Sequence, residues 1–163
     1  MKPALTLIAL LLSLTLWAEK TTKRPPIPGL YVKYTSSTKT IIIKKDSIYV
    51  QEWIDQFDNP MSSVPSSRKE VVKKALVPST KIAELKALIL KKDGFMSLPK
   101  NEYGAKATDR FYPYTISVVY TNFKEQRKEV VYRSNPAPDT EQAPQAFTEV
   151  EKKINEIVEG IWK

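Results

Sequence analysis

DGFMSLPKNEYGAKATDRFYPYTISVVY, residues 93–120, is where the chain exchanges one regularity for another. Just upstream, Ile82, Leu85, Leu88 and Ile89 recur at helical spacing, an apolar stripe that one side of a helix buries. Ser79 or Thr80 is placed to cap its start, because a hydroxyl there accepts from the free amides of the first turn. Gly94 is placed to end it in a left-handed conformation. Downstream, Tyr114, Ile116, Val118 and Tyr120 alternate with other residues, the period of a strand. A turn over residues 122–125 reverses the chain, and Lys128, Val130 and Tyr132 line the matching face of the returning strand. Between helix and hairpin lies a connector far longer than the usual ~4–6 residues.

Outward from this stretch the pattern continues. On the N-terminal side, residues 31–35 and 40–43 alternate as two strands. A third follows, in which Ile48, Val50 and Ile54 point one way and Tyr49 and Trp53 the other. Residues 58–67 are a loop by composition, rich in serine and proline. Residues 70–77 return as a strand that Pro78 stops. On the C-terminal side, residues 135–139 form a proline-containing link. Phe147, Val150, Ile154, Ile157, Val158 and Ile161 then give a second amphipathic helix, opened by Pro144. The order is β-β-β-β-α-β-β-α. Strands joined by short turns pair antiparallel, and two amphipathic helices need a sheet face to cover. The expected fold class is α+β: a twisted antiparallel sheet of about six strands with both helices on one face.

Residues 1–18 read as a signal peptide, with Lys2 as the charged n-region, an apolar run over residues 5–17, and Ala18 as the small residue at the cleavage point. The run is too short for a span of ~20 apolar residues. Residues 19–29 are a proline-rich lead-in, and residues 30–163 are expected to form a single globular domain. The expected location is outside the cytoplasm, periplasmic or secreted, with no integral membrane segment once the signal is removed. No cysteine is present, so no disulfide supports the fold.

The net charge is +8. Its lysines are scattered as doublets (Lys44-Lys45, Lys73-Lys74, Lys91-Lys92, Lys152-Lys153), the habit of solvated faces and blunted strand edges. No basic stripe interleaved with aromatics is present, so no nucleic-acid partner is expected. With no histidine and no cysteine, the usual general base, the common zinc ligands and thiol nucleophiles are absent. Four glycines leave no phosphate-cradling loop. The serines near Arg68 and Lys69 lack anything to lower a lysine pKa or hold an oxyanion. Asp55 and Asp58 fit a strand end and a turn better than a catalytic carboxylate pair. No enzyme activity, metal or cofactor is expected.

Gly94-Phe95-Met96-Ser97-Leu98-Pro99, then Ala107-Thr108-Asp109-Arg110-Phe111, then Tyr114-Thr115-Ile116-Ser117-Val118 form an ordered set of motifs between helix and hairpin. This set resembles the emfourin family, small bacterial protein inhibitors of thermolysin-like metalloproteases, and related exported domains, which carry "GFF-x-LP … DR-x-x-Y-x-L-x-V". The resemblance covers about residues 77–162, with Leu98, Pro99, Asp109, Arg110 and Phe111 its informative positions. It implies a protein-binding function, with an exported protease as the partner. The chain departs from the family in its greater length, its loop at residues 58–67 and Pro113.

Read physically, the connector motif is structural. Phe95, Leu98, Phe111 and Tyr112 are apolar anchors, Asp109 is suited to accept from backbone amides in an Asx-type turn, and Arg110 to donate to free carbonyls. Candidate contact residues are Met61 and Val64 in the 58–67 loop and Tyr103 in residues 100–107. Pro60 and Pro65 would limit the ordering entropy of binding. The functional expectation is an exported, non-enzymatic protein-binding module of the protease-inhibitor kind. The alternative is a basic structural or envelope-associated protein held near anionic polymer.

Overall fold

The computed structural model describes residues 29–61 and 63–162. The expected signal peptide and all of the lead-in but Gly29 lie outside the described residues. Seven strands form one sheet: β1 (Gly29–Thr35), β2 (Lys39–Lys44), β3 (Ser47–Gln56), β4 (Ser67–Leu76), β5 (Glu102–Gly104), β6 (Tyr112–Asn122) and β7 (Lys124–Ser134). Their order across the sheet is β4-β3-β2-β1-β6-β7-β5. All neighbours are antiparallel except β5, which runs parallel to β7. The two helices are α1 (Ser79–Leu90) and α2 (Gln145–Ile161). Among the described residues, no helix is long and apolar enough to cross a membrane.

The period-two pattern sets which face is covered. Register brings Val32 beside Ile43 and Val118, and Ile43 beside Ile48, so one face carries a continuous apolar row across four strands. Those four side chains are almost fully excluded from solvent. Leu85 and Ile89 of α1, Phe147, Val150, Ile154 and Ile157 of α2, and Phe95 from a single 3-10 turn (Phe95–Ser97) close over this face. Phe147 sits at the centre of the aromatic packing, with ring centroids 6.4 Å from Phe95 and 6.0 Å from Tyr132. At the surface, Lys153 of α2 lies 2.5 Å from Glu84 of α1, and Lys91 lies 2.5 Å from Glu149, joining the helices along their outer edges.

Three local expectations are corrected. Neither Ser79 nor Thr80 caps α1; the cap position is Pro78, whose carbonyl accepts from the amides of Lys81 and Ile82. Gly94 does not end the helix in the left-handed region: its φ is −88° and its ψ −172°, an extended backbone. Glycine is needed there for space, because a Cβ would lie 2.6–2.8 Å from the carbonyl oxygens of Leu88, Ile89 and Lys91. The long connector, expected to be irregular, also contributes a short strand, β5, to a sheet of which about six strands were expected.

Candidate functional site

Beyond Gln51, the far half of the β3–β4 hairpin is left bare by the helices. In a strand, consecutive side chains point to opposite faces. Trp53 and Ile54 are consecutive, and they are 46% and 50% exposed, so both faces of the hairpin are open at that level. β1 ends at Thr35, opposite Thr40 of β2, which in turn lies opposite Gln51 of β3. β3 continues beyond that level to Gln56, a projection of about 16 Å at strand rise. Phe57, Met61, Val64 and Val72 add exposed apolar surface to this arm.

The arm is fixed at its base. Arg68 Nε donates to Asp55 Oδ1 at 2.7 Å, and Gln51 Nε2 donates to Glu70 Oε1 at 2.7 Å. The Ser66 amide and hydroxyl both donate to the Gln56 carbonyl, at 2.8 Å and 3.1 Å, closing the loop of residues 57–66. Within it, the Met61 amide donates to Asn59 Oδ1 at 2.9 Å, a side-chain turn that presents Met61 outward, 90% exposed. Asp55 is thus an anchor for Arg68, and its role in the site is structural.

On the other side of the β1–β2 turn, β6 projects past Thr35 in the same direction, from Thr115 back to Tyr112. There Asp109, Arg110, Phe111, Tyr112, Asn135 and Pro136 line a shallow hollow. The Asn135 side chain donates to the Arg110 carbonyl at 2.6 Å and accepts from the Ala137 amide at 2.7 Å, fixing the connector to the link before α2. The Arg133 guanidinium stands 5.5 Å from the Phe111 ring centroid. The arm and this hollow therefore share one end of the sheet, separated by the breadth of β2 and β1.

The expected site residues divide accordingly. Met61 and Val64 lie on the arm, both exposed. Leu98 is half-buried, and its carbonyl accepts from Lys128 Nζ at 2.7 Å, while Pro99 is exposed. Phe111 is half-buried beside the hollow. Tyr103 is corrected: it is only 8% exposed, built into β5, with its hydroxyl accepting from the Lys100 amide at 3.2 Å, so it belongs to the core and offers no contact surface. Asp109 and Arg110 are also corrected. Both are exposed; the Asp109 carboxylate accepts from the Thr108 hydroxyl at 3.4 Å, and Arg110 is held through its backbone carbonyl. Trp53, Ile54 and Tyr112 are exposed apolar residues that the sequence pattern assigned to strands or anchors, and Phe57 is another that it did not single out. Among the described residues, no three acidic side chains converge to hold a metal ion. No family model, curated protein or solved structure matches the chain.

Proposed function

We propose that the chain is an exported, non-enzymatic protein-binding module that inhibits an exported protease through the β3–β4 arm. The observation that supports this reading is the exposure of Trp53 and Ile54 on opposite faces of one strand, at the root of a loop that also exposes Met61. A folded domain gains nothing from leaving such residues in water, whereas an apolar cluster on a projecting, internally braced hairpin suits insertion into a partner's cleft. Bracing at Asp55–Arg68 and Gln56–Ser66 reduces the ordering cost of binding. The motif likeness to emfourin-like chains supports a metalloprotease of the thermolysin kind as the class of partner.

The experiment is a titration of a thermolysin-like metalloprotease with the purified chain, at low and at high salt. Stoichiometric loss of peptidase activity that persists at high salt is the expected result. The paired substitutions Ile54→Ser and Met61→Ser should abolish it without altering the thermal melt. Degradation of the chain without inhibition would sink the reading. Association that vanishes with salt would favour the basic, envelope-associated alternative.

A further inference from the structure

The two edges of the sheet differ in kind. β5 is three residues long and too short to template another strand. β4 is ten residues long, and among the described residues its outer edge has no neighbouring strand. The Val77 amide donates to the Asp46 carbonyl, so the alternation places the backbone groups of Lys73, Val71 and Lys69 toward β3. The amides and carbonyls of Arg68, Glu70, Val72, Lys74 and Leu76 accordingly face outward. Their side chains share the sheet face opposite the helices, where Val72 and Leu76 are 62% and 71% exposed.

We propose that this edge pairs with the same edge of a second copy, antiparallel, about a two-fold axis through Val72. The charge order along β4 selects the partner and the register. With Val72 opposite its own mate, Glu70 of each copy faces Lys74 of the other, and Arg68 faces Leu76. All five outward residues are used, and the pairs flanking the axis join unlike charges. On the helix-side face, Val71 meets Lys73 and Lys69 meets Ala75, with no like charges opposed. Neighbouring registers are worse. An axis through Val71 sets Arg68 against Lys74, and an axis through Lys73 sets lysine against lysine. Axes through Glu70 or Lys74 oppose two like charges at the centre. Directly opposed unlike charges stabilise a strand pair and like charges destabilise it.

Of the charges that remain, Lys69 faces Ala75, and Arg68 and Lys73 are already met within each chain. Arg68 is 2.7 Å from Asp55, and Lys73 is 3.7 Å from Glu52. Lys74 lies over the Tyr49 ring at 5.2 Å, and Glu70 accepts from Gln51, so both are held on the outer face from which they would reach across. The helices do not cover β4 over residues 67–74, which leaves the approach open. The product is one continuous sheet with seven strands from each copy, and the two arms point in opposite directions. The paired residues do not include the 57–66 loop, so pairing at β4 does not depend on the proposed inhibitory role.

The test is sedimentation velocity over a wide concentration range, on the parent chain and on charge-reversed variants. The parent should reach dimer. Glu70→Lys sets two lysines opposite each other and Lys74→Glu sets two glutamates, so each alone should raise the dissociation constant about tenfold or more. Mixing the two single variants restores unlike charges at both flanking pairs and leaves the homodimers repelled, so a heterodimer should form where neither homodimer does. Thermal melts confirm that each variant is folded. Val72→Cys supplies a geometric readout, since the chain has no cysteine of its own. Opposed residues in a hydrogen-bonded antiparallel pair stand about 5.5 Å apart at Cα, within disulfide reach. Mild oxidation should cross-link Val72→Cys and not Leu76→Cys. A chain that stays monomeric, single variants that dimerise as tightly as the parent, or equal cross-linking at both cysteine positions would overturn the proposal.

Discussion

The Tyr34 hydroxyl donates to Glu151 Oε1 at 2.7 Å, a bond that joins the central strand of the sheet to the last helix. Tyr34 is 2% exposed, and burial, followed by the Glu151 hydrogen bond, drives its phenol far above the ordinary tyrosine pKa. Tyr34→Phe keeps the ring and removes the bond. It should cost about 1–2 kcal/mol in denaturant unfolding at neutral pH.

The same bond carries a pH dependence. The folded-state pKa of Tyr34 is raised, so its contribution is fully present below the unfolded tyrosine value of about 10. It is lost as pH climbs from there through the folded-state value. The stability gap between the parent and Tyr34→Phe should therefore narrow at alkaline pH. A gap that stays constant from neutral pH to well above the unfolded value would show that the hydroxyl's ionisation is not linked to folding.

Gly104 and Gly160 should respond oppositely to alanine. Gly104 has φ +90°, and a Cβ there would stand 2.2 Å from the Arg133 carbonyl oxygen, where β5 runs beside β7. Gly104→Ala should lower stability by more than about 1 kcal/mol. Gly160 lies in the last turn of α2, and a methyl group added there would meet nothing within 4 Å. Gly160→Ala should raise stability by up to about 0.5–1 kcal/mol. Paired thermal melts check both signs.

Within the connector motif, stability should rest on Phe95 and not on Asp109. Phe95 is fully buried against Phe147, and Phe95→Ala should cost about 3–5 kcal/mol. Asp109 is exposed, and Asp109→Ala should stay within about 0.5 kcal/mol of the parent. A large shift in the denaturation midpoint for Asp109→Ala would return that carboxylate to a structural role.

Much of the fold could be read from periodicity, because burial on one face fixes which residues alternate inward. The inward sets Ile48/Val50 and Tyr114/Ile116/Val118/Tyr120 follow from spacing alone. β5 was not legible: it has three residues, one large apolar side chain, and a parallel partner that no turn announces. Gly94 was legible as a boundary but not in its reason, since crowding by three carbonyls leaves no trace in sequence. The arm was read only in part. Apolar residues on both faces of a strand mark burial on both sides as readily as exposure on both, and nothing local says that the helix layer stops short of Trp53 and Ile54. Asp109 misled because it sits between apolar anchors in sequence while the chain turns it out to solvent.

The first strand of the sheet in chain order lies in its middle, and this has a consequence for how the protein comes into being. A polypeptide that emerges from its N-terminus offers β1, β2, β3 and β4 as a meander whose pairings are all local. The inner edge of β1 then waits for β6, which lies beyond the helix and the whole connector. Until Ile116 and Val118 arrive, Val32 and Tyr34 lack their neighbours on that side. Such long-range closure is the slow part of assembly and the interval most open to mispairing. In pulse-labelled hydrogen exchange, amides of the β2–β3 and β3–β4 ladders should gain protection ahead of those at the β1–β6 seam. Simultaneous protection at all three would mean that the seam closes as early as the hairpins.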